Sequence, residues 1–141
     1  MPEEAGPPAE VALVRAALDE VLDPCSVGRG LDAGIVDMGL LVALEVDLDA
    51  GSPAAGRVAI ELRLTSPACT FQLYFDRTIR ERLGRLDFVD PARVTIAWSD
   101  RFDWSDSEMS QQVIDRMRER IQQRRDLAQR RTLAATAARG A

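Results

Sequence analysis

Cys25 and Cys69 are the only two thiols in this chain, which contains no histidine. Thiolates are the form in which cysteine binds metal or attacks an electrophile, and a helix N-terminus stabilises that form. Cys69 stands in such a context. Arg57 to Leu64 alternates, with Val58, Ile60, Leu62 and Leu64 on one side and Arg57, Ala59, Glu61 and Arg63 on the other. That is the pattern of a half-buried strand. Ser66 is a good helix cap and Pro67 suits a first helical position, which would place Cys69 in the first turn. A small buried apolar role for Cys69 is the plainer alternative. Asp37 is the second residue of chemical interest. It interrupts the apolar run Ile35-Val36-Asp37-Met38-Gly39-Leu40, where a carboxylate must be paired, hydrogen-bonded or functional. Trp104 is the third, a large ring in the acidic stretch Ser99 to Asp106, where it either packs as a plug or covers a site.

Absences narrow the chemistry further. Without histidine, Ser-His-Asp and Cys-His machinery cannot be assembled within one chain. All 18 basic residues are arginine, so lysine Schiff bases and a Walker-type phosphate loop are excluded. Two cysteines 44 positions apart (69 − 25) suggest neither a disulfide framework nor a zinc finger. A reducing cytoplasm is therefore the expected setting. No apolar run approaches the ~20 residues of a membrane span, and the N-terminus lacks a signal-like apolar region. The net charge of −5 is uneven. Residues 1–110 hold 20 acids and 10 arginines, net −10, while residues 111–141 hold 3 acids and 8 arginines, net +5. The body should repel nucleic acid at long range and only the tail could attract it; no nucleic-acid partner is expected.

The elements that must position these groups follow from periodicity. Residues 1–8 read as a flexible leader. From Ala9 to Leu22, Val11, Val14, Leu18 and Val21 form the apolar stripe of a helix, with Arg15, Asp19 and Glu20 facing water. Asp23-Pro24 ends it, and Cys25 to Gly34 reads as a glycine-rich loop. Leu40 to Leu48 alternates and, across the turn-rich Asp49 to Gly56, predicts an antiparallel hairpin with the next strand. Phe71, Phe75, Ile79 and Leu83 predict a second helix, widened by Leu73 and Tyr74 and closed by Gly84. A link with Asp90-Pro91 leads to a third strand over Arg93 to Trp98. Ser107 to Leu133 reads as one long helix whose narrow stripe, Met109, Val113, Met117 and Ile121, suits another chain or a sheet edge; Ala134 to Ala141 should fray. The fold class is α+β: a two-layer arrangement with a small mixed sheet of about three strands, two helices on one face and a long C-terminal helix.

Four segments resemble the SufT/PaaD-type iron–sulfur cluster assembly family over about residues 10 to 110. Thr65-Ser66-Pro67-Ala68-Cys69 is similar to its Thr-x-Pro-x-Cys signature. Asp23-Pro24 stands where the family has Asp-Pro-Glu. Gly34 to Leu40 matches its Ile-Val-Asp-Leu-Gly-Leu segment, and Trp104 with Met109-Ser110 its Trp-x-x-x-x-Met-Ser. The chain departs from the pattern at Cys25, which replaces glutamate, and at Thr70 and Ser105, which replace prolines.

The resemblance implies an assembly domain over residues 9–110, with 111–141 as an arginine-rich helical extension. It implies a polar patch in which Cys69, Cys25 and Asp37 are cluster or metal ligands, supported by Asp23, Thr65, Ser66 and Trp104. Two thiols and a carboxylate suit iron, a cluster or zinc, but fall short of the four cysteines of a usual cluster site. The implied function is a non-enzymatic carrier that holds iron or an iron–sulfur cluster transiently for a client apo-enzyme or assembly machinery, with ligands shared between protomers of a homodimer, with the client or with a small thiol. Two alternatives stay open: a metal-free adaptor for maturation of a metal-dependent oxygenase, and a thiol redox or persulfide carrier using Cys25 and Cys69.

Overall fold

A computed structural model describes residues 2–49, 51–66 and 70–140. Their elements are β1 (Glu3–Ala5), α1 (Pro8–Asp19), α2 (Pro24–Gly28), β2 (Leu41–Asp47), β3 (Gly56–Leu62), α3 (Gln72–Leu83), β4 (Val89–Trp98), a 3₁₀ turn (Asp106–Glu108) and α4 (Gln111–Arg139). The strands form one mixed sheet in the order β1-β2-β3-β4. The expected hairpin is present as antiparallel β2 and β3, while β1 lies parallel to β2, and β4 parallel to β3. The α+β class, the mixed sheet and the long C-terminal helix are as the patterns require.

The alternation in the strands sorts side chains cleanly between two faces. Leu44 and Val46 of β2, Val58, Ile60 and Leu62 of β3, and Val94 of β4 are buried. They pack with Val14 and Leu18 of α1 and with Phe75, Ile79 and Leu83 of α3 in one core. Rings of Phe75 and Trp98 meet at 5.9 Å between centroids. Fully burying a side chain of this size is worth about 1.5–3 kcal/mol, so this layer fixes how the two helices sit. Among the described residues, no helix packs on the other face of the sheet.

Several expectations need correction. The leader is not free: Glu3–Ala5 pairs in register with Ala43–Glu45, and Glu4 forms an ion pair with Arg15 of α1. The sheet therefore has four strands, not about three. The glycine-rich loop begins as a short helix, α2, because Asp23 caps it and Pro24 occupies its first position. α3 opens at Gln72 with Phe71 at the cap position, so Ser66 does not cap it. Phe71, Leu73 and Tyr74 are exposed rather than part of its buried stripe. Asp90-Pro91 lies inside β4, not before it. Proline is tolerated there because β4 is an edge strand. α4 starts at Gln111, after the 3₁₀ turn, and continues to Arg139 instead of fraying from Ala134.

Candidate functional site

β2 begins, and β3 and β4 finish, at one end of the sheet, where Arg63 N–H donates to Leu40 O at 2.8 Å and Ser99 N–H to Leu62 O at 2.7 Å. The carboxyl ends of parallel neighbours are where open sheets with helical crossovers tend to place sites. The Gly34–Leu40 turn and the end of α1 gather at the same place.

Asp23 is buried, 1% exposed. Its carboxylate accepts from Cys25 N–H at 3.4 Å and from Ser26 N–H at 3.1 Å. Burial pushes its pKa up, against the two N–H groups and the Arg29 guanidinium, which pull it down. Ser26 is wholly buried. Its hydroxyl lies 2.7 Å from Asp23 O and 3.0 Å from Ala33 O, and accepts from Ala33 N–H at 2.9 Å. Asp23 N–H in turn donates to Ala33 O at 2.8 Å. This knot locks α2 to the strand-like Ala33-Gly34, which bridges Leu22. Asp23 is thus a structural cap. Cys25, in the first turn of α2, is a half-buried free thiol.

Asp37 is half-buried and has a partner that periodicity hid. Its N–H donates to Asp19 Oδ1 at 2.9 Å, and its carbonyl accepts from Ser110 N–H at 2.7 Å. Asp19, expected to face water, is itself half-buried. Its pKa is raised, first by desolvation and further by a hydrogen bond and like charge from the Asp37 side chain. Asp19 and Asp37 are therefore a carboxylate pair, one member of which holds its proton more readily than an isolated aspartate. The close fit depends on Gly34: a Cβ there would lie 1.8 Å from Asp19 O.

Trp104 packs against the core and its indole N–H donates to Met38 O at 2.6 Å, one residue from Asp37. It is a plug for the Gly34–Leu40 turn rather than a free lid. Arg63, expected on the wet side of its strand, holds the same turn. Its Nε donates to Gly39 O at 2.9 Å, and its other nitrogens pair with Asp103 at 3.3 Å and Glu108 at 3.1 Å. Gly39 has a left-handed φ of 72°, and a Cβ there would sit 2.2 Å from Glu108 O. The glycine of Asp-Met-Gly-Leu is thus a requirement of backbone packing.

Thr65 is half-buried and Ser66 exposed, just past the end of β3. Cys69, with Pro67 and Ala68, lies outside the described residues. Beyond them, Tyr74 of α3 donates its hydroxyl to Leu22 O at 3.1 Å, tying the start of α3 to the segment that leads into Asp23. The structure therefore brings Asp37 and Trp104 to one turn and Cys25 and Asp23 to the neighbouring one, joined through Asp19 and the Leu22–Gly34 bridge. Among the described residues, no group of three or more cysteine and acidic side chains is placed to hold a metal ion.

No family model matches this chain, and no curated protein sequence matches it. Solved structures do. The crystal structure of a domain of unknown function, DUF59, from Bacillus anthracis superposes with a TM-score of 0.61 at 21% identity, over 78% of this chain and 92% of that one. This chain has the DUF59 fold. The solution structure of Rv1466 from Mycobacterium tuberculosis, described as associated with [Fe-S] complex assembly and repair, aligns at 24% identity over 81% of this chain and 88% of that one. Its TM-score of 0.39 is too low to bear on the fold. Among the described residues, no helix is long and apolar enough to cross a membrane.

Proposed function

We propose that this protein serves iron–sulfur cluster or metal-centre assembly as a carrier, holding iron or a cluster in transit to a client apo-enzyme. One observation carries this reading. Segments that resemble the assembly family and lie far apart in sequence, Asp23-Pro24, Gly34 to Leu40, Thr65-Ser66 and Trp104, gather at one end of a DUF59-type sheet. Iron or cluster is the cargo here. Cys69, from its sequence context, is the ligand the reading depends on, with Cys25 as a second sulfur donor and Asp37 as a carboxylate. Such a donor set is incomplete by itself, and a client, a second protomer or a small thiol would complete it. An under-ligated site favours transfer, because cargo is released without breaking a full coordination shell. Asp19, whose pKa is raised by burial, would hold a proton beside the Asp37 ligand. Exposed Leu22, Val27, Leu73 and Tyr74 nearby supply apolar surface for a client.

The test is anaerobic reconstitution with iron and sulfide in the presence of a small thiol, comparing the native chain with Cys69→Ala and Cys25→Ala. The native chain should take up iron with the charge-transfer absorbance of a thiolate complex. Cys69→Ala should abolish it and Cys25→Ala should reduce it. Equal, negligible uptake in all three overturns the carrier reading and leaves the metal-free adaptor.

A further inference from the structure

We propose that the arginine-rich second half of α4 docks on the open face of the sheet in a second copy of this chain. The open face is a checkerboard. Across the sheet, Glu3, Ala43, Glu61 and Ala97 form one row, and Ala5, Glu45, Ala59 and Thr95 the next. Small side chains leave a groove of about 480 Å³ between the glutamates. Among the described residues, Glu3, Glu45 and Glu61 form no ion pair (their neighbour Glu4 is taken by Arg15). The groove is therefore acidic and lined with methyl groups.

α4 supplies the complement. Val113 is buried and Met117 half-buried against the body, but every described residue from Arg118 onward is exposed. That exposed part extends for roughly 30 Å at the helical rise, whereas four strands span only about 15 Å. The seam begun by Val113 and Met117 continues at alternating steps of three and four through Arg120, whose guanidinium lies over Gly30 of its own chain, to Arg124, Leu127, Arg131, Ala134 and Ala138. Among the described residues, these arginines pair with no acid. An arginine- and alanine-bearing seam matches a glutamate and alanine checkerboard in both charge and side-chain size. It does not suit a copy of itself, since arginines would face arginines at the core positions of a coiled coil. Among the described residues, no strand of the same chain packs extensively on α4. A polyanion such as nucleic acid would meet the net −10 of residues 1–110. Reciprocal exchange of tails between two copies closes the pair and uses both surfaces twice.

The experiment measures the molar mass of the full chain by light scattering after size-exclusion chromatography, at low and high salt. The native chain should run at twice 15.5 kDa and dissociate as salt rises. Glu45→Arg with Glu61→Arg should give monomer, as should Arg124→Glu with Arg131→Glu. All four changes in one chain, or an equimolar mixture of the two double variants, should restore the doubled mass. Circular dichroism checks that each variant is folded, and Glu45→Gln with Glu61→Gln provides a milder version. A native chain that stays monomeric at every salt, including one that instead binds a DNA or RNA oligomer, overturns the proposal. So does a dimer that survives either reversal, or reversals that fail to rescue each other in folded protein.

Discussion

Polar groups are handled in opposite ways at the end of the sheet and on its open face. At the end, Asp23 and Ser26 are buried, and Asp19, Asp37 and Arg63 are partly so. Each is tied to backbone or to another charge across a turn. On the open face, Glu3, Glu45 and Glu61 stand over alanines, without an ion-pair partner among the described residues. The same carboxylate chemistry thus fixes the backbone in one region and is left available in the other. Removing a polar group from the first region should disturb the fold; removing one from the second should disturb only association.

The largest effect should come from Gly39→Ala. It combines a left-handed backbone with a Cβ driven into the Glu108 carbonyl, and should cost at least about 2 kcal/mol in urea unfolding. Ser26→Ala comes next. It orphans the buried Ala33 N–H and should cost about 1–3 kcal/mol, again read from urea unfolding. A loss as small as that of a surface change would break the contrast.

Asp19→Asn should act in the other direction. Because the folded protein raises the pKa of Asp19, that group contributes stability in full only below the ordinary carboxylate range. The contribution is lost as pH rises through the higher folded value, leaving a penalty at neutral pH. Asparagine keeps an oxygen for the Asp37 N–H and carries no charge. The variant should therefore melt higher than native at neutral pH, and its advantage should shrink or reverse on acidification. Thermal melts across the acid range check this, and a constant offset would exclude a raised Asp19 pKa. The smallest effect belongs to Glu61→Gln, whose stability should stay within about 0.5 kcal/mol of native when monomers are compared at high salt.

Much of the layer structure was legible in the sequence because it rests on local periodicity. The Arg57–Leu64 alternation and the Val11, Val14, Leu18, Val21 stripe read correctly. What escaped depends on contacts between distant residues. Glu3–Ala5 has no apolar signal and is a strand only through pairing with β2. α2 did announce itself through Asp23-Pro24, a cap followed by proline, but the same dipeptide also reads as a stop for the preceding helix, and the glycines after it favoured a loop. Asp19 lies opposite the apolar stripe of α1, and only the Gly34–Asp37 turn folding over it takes it from solvent. Arg63 alternates correctly as a wet-face residue, yet its partners Asp103 and Glu108 lie 40 and 45 positions away. For the site, the sequence nominated Asp37 and Trp104, which do share a turn, and Asp23, which proves to be a cap. Cys69 falls outside the described residues, so its part rests on its sequence context.

The sheet's two borders have a practical consequence. β1 shields one border with only three residues, and β4 carries Pro91, which has no N–H to offer a neighbouring strand. β1 is too short to be extended as a ladder, while on β4 the proline interrupts only the start and leaves Ala92–Trp98 continuous. Strand addition under crowding should therefore be blocked at the β1 border and confined to the Ala92–Trp98 stretch of the other.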